Sequence, residues 1–252
     1  MCLITFAWRV DARTPLLLAA NRDEFHARPT AAAHWWESAP EIFGGRDLSQ
    51  GGGWLAVSRR NRLAAVTNVR RMIPPLSDAP SRGALVADFL HSASSARDYA
   101  ATLAKHAHAY AGFNLLLYDG EELLHLSNQP EFRVQAVTPG IHGLSNDSLD
   151  TPWPKLTRVT SGLYDWLRQP NADTAALFSL LGDRRLAADG ELPNTGVGLE
   201  LERMLSSPFI LSPHYGTRCS SIVTFSTNGP REFIERRYAP DGAVTGETQQ
   251  QF

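Results

Sequence analysis

A chain of 252 residues, 43% hydrophobic and 20% charged, is long enough to bury a core without disulfides or metals, and a single domain over 1–252 is expected. Its net charge of -2 excludes a strong overall field toward nucleic acid or an anionic membrane surface. No apolar run approaches the roughly 20 residues of a membrane helix, and the apolar start Met1–Arg9 is too short for a signal peptide, so a cytoplasmic protein without an integral membrane segment is expected.

Leu3-Ile4-Thr5-Phe6-Ala7-Trp8 is β-branched and aromatic and predicts a strand. Asp11 to Pro15 is turn chemistry, and Leu16 to Ala20 predicts the partner strand of an N-terminal hairpin. From His26 to Gly53 the chain reads as loop, rich in Pro, Gly, Ala and Trp. Trp54–Ser58 and Leu63–Asn68 predict a second hairpin, and Pro74–Pro80 a loop. Ser81 caps an expected helix carrying Leu85, Val86, Phe89 and Leu90, followed by an alanine-rich helix over Ala96–His108.

Phe113–Tyr118 and Glu122–Leu126 predict a hairpin over Asp119-Gly120, with short strands at Phe132–Val137 and Ile141–Leu144. Helices are expected at Trp153–Leu167 and Ala172–Leu181, and irregular chain at Arg184–Ser207. Cys219–Ser226 and Arg231–Tyr238 predict a closing hairpin, and the tail after Pro240 reads as loose. Hairpin neighbours dominate, so the expected class is α+β, with antiparallel sheets covered by helices.

Few residues stand out chemically. Cys2 follows the initiator Met; once Met1 is removed, one residue carries both a thiol and an α-amine of pKa roughly 7.7–8.0. The plain alternative is a small apolar residue at a strand start. Asn21-Arg22-Asp23-Glu24 ends the second predicted strand and falls near Cys2 if the first two strands pair. A carboxylate there can hold an ammonium, and an arginine can favour a thiolate; the alternative is a strand-end ion group. Asn68 and Asn146 end two further strands and offer amide donors, or simply form turns. Arg218, in Tyr215-Gly216-Thr217-Arg218, brings another fixed charge.

Other signals are weaker. Arg59-Arg60-Arg62 and Arg70-Arg71 read as solvated charges, and Gly51-Gly52-Gly53 as a tight turn or a close backbone approach. No metal-ligand spacing or cofactor motif is present, so neither a metal nor a cofactor is expected. Cys2 and Cys219 allow one disulfide by count alone.

Taken in order, Met1-Cys2-Leu3-Ile4, Ala20-Asn21-Arg22-Asp23-Glu24-Phe25, Gly44-Gly45-Arg46-Asp47, Gly53-Trp54-Leu55, Ser81-Arg82-Gly83, Gly143-Leu144-Ser145-Asn146, Leu149 to Lys155 and Tyr215-Gly216-Thr217-Arg218 resemble the NRDE family, which includes the transport and Golgi organisation protein 2 homologues. That family is similar to the N-terminal-nucleophile hydrolases, especially the choloylglycine hydrolase and acid ceramidase group. The resemblance implies a four-layer αββα sandwich of two mainly antiparallel sheets. It also implies a cysteine hydrolase of linear acyl amides, acting after removal of Met1. Cys2 would be the nucleophile, Asp23 the anchor of its amine, Asn68 an oxyanion donor, Asn146 an amine-orienting group and Arg218 the downstream arginine, with Asn21 and Arg22 in support.

One departure stands out. The hydrolases read Arg-Asn-x-Asp where this chain reads Ala20-Asn21-Arg22-Asp23. Aligning Asn21 and Asp23 puts Ala20 in the arginine position and turns Arg22 to the opposite face, which counts against thiolate activation. It favours the second reading, a non-catalytic carrier of a hydrophobic small molecule such as haem or an acyl group. The oligomeric state is not set by the sequence.

Overall fold

The first two strands are longer than their apolar runs suggest. β1 (Cys2–Asp11) and β2 (Thr14–Phe25) pair antiparallel from Cys2↔Arg22 to Asp11↔Thr14. Both faces of β1 are buried from Cys2 to Trp8, which is why its apolar residues run continuously instead of alternating. The computed structural model describes residues 2–70, 79–170, 173–229 and 231–252. Most of the expected loop Pro74–Pro80, together with Arg71 and Ala172, lies outside them.

Then come β3 (Thr30–Trp36), β4 (Ala39–Asp47), β5 (Gly53–Ser58) and β6 (Arg62–Asn68). Helices α1 (Arg82–His91) and α2 (Ala96–Ala104) precede β7 (Phe113–Tyr118), β8 (Leu123–Ser127), β9 (Arg133–Ala136) and β10 (Gly140–Leu144). Helices α3 (Pro154–Leu167), α4 (Thr174–Leu181) and the short α5 (Leu199–Met204) lead to β11 (Tyr215–Phe225), β12 (Glu232–Tyr238) and β13 (Val244–Gln251).

The chain resolves into two compact units, residues 1–27 with 139–252, and residues 28–138. The first holds an antiparallel six-stranded sheet in the order β10-β1-β2-β11-β12-β13. On one face Ala7, Leu17, Ala19, Ile222 and Ile234 pack against Leu163 of α3 and Leu177, Phe178 and Leu181 of α4. Leu3 packs there against Trp153, Leu156 and Val159.

The second unit is a seven-stranded antiparallel meander, β3 through β9. Its helix face joins Ala56, Ala64, Val66, Leu115, Leu117, Leu124 and Leu126 to the apolar stripe of α1 and to Ala96, Ala100 and Leu103 of α2. The Ser81 hydroxyl caps α1 by accepting from the Gly83 N–H at 3.2 Å, as its position before the apolar run predicts. The glycine run works by close approach: a Cβ on Gly52 would stand 2.4 Å from the Gly83 carbonyl carbon.

The α+β class with two antiparallel sheets is as expected, but several local readings are corrected. His26–Gly53 is not loop; it contains β3 and β4, whose pairing is interrupted by register shifts that hide the two-residue period. The tail after Pro240 is β13, paired with β12 from Glu232↔Gln251 to Tyr238↔Val244. Asp119-Gly120 opens a four-residue connection, because Tyr118 pairs with Leu123. Arg62 is not solvated: it is buried, stacks over the Phe89 ring at 4.0 Å and donates to the Phe89 carbonyl at 3.2 Å. Among the described residues no helix is long and apolar enough to cross a membrane.

Candidate active site

Directly opposed residues in an antiparallel sheet share a face. Cys2 pairs with Arg22, Arg22 with Cys219, and Cys219 with Arg237, so these four side chains form one row across β1, β2, β11 and β12. The next row on that face is Ile4, Ala20, Ser221 and Glu235. Asn21, one residue along, joins Leu3 and Ser220 on the helix-covered face.

This register corrects the concern about position 20. Arg22 does turn away from the face of Asn21, as strand alternation requires, and the face it turns to is that of Cys2. Ala20 sits opposite Ile4 instead. The arginine beside the thiol is Arg22.

Cys2 is 8% exposed and Arg22 is 5% exposed. Burial pushes the Cys2 thiol pKa up; positive charge at the amino terminus lowers it, the Asp23 carboxylate raises it, and Arg22 and the Asp23 backbone N–H lower it, with a net rise. The Cys2 carbonyl lies 3.3 Å from the Ser145 hydroxyl, which also lies 3.3 Å from the Asn146 side-chain oxygen. A hydroxyl has one hydrogen, so these two acceptors share it. Asn146 is buried just beyond β10, whose Leu144 pairs with Ile4. The Asp150 carboxylate closes the connection that carries it, accepting from the Gly143 N–H at 2.8 Å and bonding the His142 ring at 2.7 Å.

Asp23 is held by the Tyr-Gly-Thr-Arg segment at the start of β11. The Thr217 hydroxyl donates to its carboxylate at 2.7 Å and accepts from the Ile210 N–H at 2.9 Å. The Tyr215 hydroxyl donates to the Asp23 carbonyl at 3.0 Å. Gly216 is required by contact: a Cβ there would lie 2.7 Å from the Ile210 carbonyl oxygen. A register shift between Thr217 and Cys219 makes Arg218 the extra residue of a bulge, the usual way a strand re-aims a side chain. Arg218 donates to the Phe25 carbonyl at 2.9 Å, and burial together with the Arg22 charge lowers its pKa.

Asn21 has a structural task. Its amide donates to the Leu181 and Pro208 carbonyls, both at 2.9 Å, and its oxygen accepts from Ser220 at 2.5 Å. These bonds tie β2 to the end of α4 and to β11. Asn68 ends β6 in the second unit, paired with Phe113.

Sequence reasoning missed Ser145, Thr217 and Tyr215 as hydrogen-bond partners of Cys2 and Asp23, although all three lie inside the motifs quoted above. It also missed Glu235, which carries no motif. The possible disulfide is not formed: both cysteines are free, and the intervening β2 sets their backbones about 10 Å apart, beyond the roughly 7 Å a disulfide spans. Among the described residues no group of three or more potential ligands could hold a metal ion.

A model of the family described as Transport and Golgi organisation 2 matches residues 1–240. The Transport and Golgi organization protein 2 homolog of Bos taurus is 34% identical over 263 residues, covering 94% of this chain and 92% of the relative. The Homo sapiens homolog is 34% identical over 259 residues with the same coverage, and the Drosophila melanogaster protein is 29% identical over 264 residues. Among solved structures, a Caenorhabditis elegans N-acylethanolamine-hydrolyzing acid amidase ortholog matches with a TM-score of 0.54 at 9% identity, covering 88% of this chain and 92% of that one. At that identity the likeness speaks to the fold alone, which this chain shares with that amidase.

Proposed function

This chain belongs to the Transport and Golgi organisation 2 family, and from that premise we propose that it is an N-terminal cysteine hydrolase acting on a linear acyl amide after removal of Met1. The observation that carries the reading is the direct cross-strand pairing of Cys2 with Arg22. It sets a guanidinium beside a thiol at the very start of a strand. The register adds a second support, because Asp23 is the next residue of β2 beyond Arg22. An amine freed on Cys2 lies at the strand end that Asp23 adjoins.

The chemistry follows from the thiol's environment. Burial keeps the thiol protonated, so it needs a base, and the α-amine of the same residue is partly neutral near pH 7. The amine takes the thiol proton, the sulfur attacks the amide carbonyl carbon, and the oxyanion collapses as the C–N bond breaks. The α-ammonium returns its proton to the leaving amine. Water then adds to the thioester, releasing the carboxylic acid and restoring the thiol. Asp23 anchors the ammonium, Asn146 orients it, and Arg22 and Arg218 supply positive charge. Asn68 as oxyanion donor rests on the family resemblance alone.

The carrier reading drew on a missing arginine at position 20, and that ground falls away with Arg22 opposite Cys2. The test is intact-mass analysis of the purified protein before and after a thiol-reactive acyl probe. The expected result is loss of Met1 and one adduct on Cys2, with none on a Cys2→Ala variant of equal thermal stability. Retention of Met1, or an adduct elsewhere, overturns the proposal.

A further inference from the structure

Arg22 has a sulfur on each side. Cys2 and Cys219 are its two cross-strand partners, and one guanidinium cannot favour two thiolates as well as it favours one, since the second would meet the charge of the first. The two thiols differ in their other neighbours. Glu235, 2% exposed, is the diagonal neighbour of Cys219 on the same face, one row along β12 from Arg237, and its carboxylate pushes the Cys219 thiol up, whereas the Asp23 backbone N–H pulls the Cys2 thiol down. Glu235 is itself held by Arg237, at 3.5 Å, and Arg237 is anchored by donating to the Thr248 hydroxyl at 2.7 Å.

We infer that Glu235 is a positioning residue that keeps Cys219 a neutral thiol and so reserves the Arg22 charge for Cys2. An acceptor carboxylate can be satisfied by an S–H donor and is repelled by a thiolate. Cys219 therefore keeps its proton while Arg22 stands beside both sulfurs. The charged and titratable groups around Cys219 within its unit are Arg22 on β2, Cys2 on β1, Arg218 on β11, and Glu235 and Arg237 on β12, while Tyr238 lies on the other face with its hydroxyl donating to Ser220. Burial and the Glu235 charge both push the Cys219 thiol up, with Arg22 opposing them. The inference rests on the reading of Cys2 as the nucleophile, and it adds Glu235 and Cys219 to the groups that set its reactivity.

The test is the pH dependence of iodoacetamide alkylation at Cys2, followed by peptide mass spectrometry on the full chain. Glu235→Gln removes the charge that, together with burial, holds Cys219 neutral. The alkylation midpoint of Cys2 should move up, with a fall of about threefold or more in rate at neutral pH. Adding Cys219→Ala to that variant removes the competing thiol and should return the midpoint to the wild-type position. A merely structural role for Glu235 gives no such rescue. An unmoved midpoint in Glu235→Gln, or a double variant as shifted as the single one, overturns the inference. A second measurement does not depend on Glu235→Gln folding: thiolate absorbance in the wild type should show a first step that Cys2→Ala removes, and its survival at the same pH sinks the idea. If Cys2 in the wild type neither ionises nor alkylates, the nucleophile reading fails instead, which separates the two failures.

Discussion

Cys2 and Arg22 face each other as a direct pair across the first hairpin, with both side chains nearly enclosed. A fixed charge at that range acts on the thiolate and hardly on the thiol, so its removal changes how readily the sulfur ionises. Arg22→Ala is expected to slow alkylation of Cys2 at pH 7 by about tenfold or more, with the profile displaced to higher pH. Arg22→Lys keeps the charge and should recover much of the rate. Equal rates in the wild type and Arg22→Ala would remove Arg22 from the site.

Gly216 lies where β11 passes the carbonyl of Ile210, and a Cβ there would sit 2.7 Å from that oxygen. Contacts that short force the backbone to move. Gly216→Ala should therefore lower stability by about 1–3 kcal/mol in urea unfolding, and it should loosen Asp23, whose partners Tyr215 and Thr217 flank the glycine. A melt within error of the wild type would show that the strand yields easily.

Much of the fold was legible because it rests on local signals. The strands β1, β5, β6, β7 and β8 are apolar runs bounded by turn residues, and Ser81 announces α1 by its capping hydroxyl. What escaped was set by partners distant in sequence. β3 and β4 are rich in Ala, Gly and Trp and are broken by register shifts, so no period shows. β13 is exposed and Gln-rich, and it is a strand because β12 offers it an edge. The site divides the same way. Cys2, Arg22 and Asp23 could be named from a short segment, whereas their faces follow from the register Cys2↔Arg22, which no residue type dictates. Glu235 reaches Cys219 through the β11–β12 pairing alone.

In the second unit, the Asp119 carboxylate accepts from the backbone N–H groups of Ala96, Glu121 and Glu122, tying the β7–β8 connection to the start of α2. Burial alone would raise its pKa, but those three bonds and the nearby Arg62 outweigh it and the pKa is lowered. A depressed folded pKa gives stability that is present above the unfolded value of about 3.9 and is lost as pH falls through the folded one. Asp119→Ala should cost about 1–2 kcal/mol at neutral pH, with the gap to wild type narrowing in acid. Urea unfolding at pH 7 and at about pH 3 measures both ends. A gap of constant size would show that the charge of Asp119 is not what holds the two segments.

Thr217 separates the support of Asp23 from its charge. The hydroxyl sits in a buried relay, accepting from the Ile210 N–H and donating to the Asp23 carboxylate. Thr217→Val keeps the shape and removes both bonds, leaving a buried N–H and a buried carboxylate oxygen each short of one partner. The expected cost is about 1–3 kcal/mol of unfolding free energy. Thr217→Ser keeps the hydroxyl and gives up one methyl group, so it should stay within about 1 kcal/mol of wild type. If Asp23 anchors the Cys2 amine, only the valine variant should also slow turnover and acylation of Cys2. A valine variant that is destabilised but reacts normally would leave Asp23 as a strand-end brace and exclude it from the chemistry.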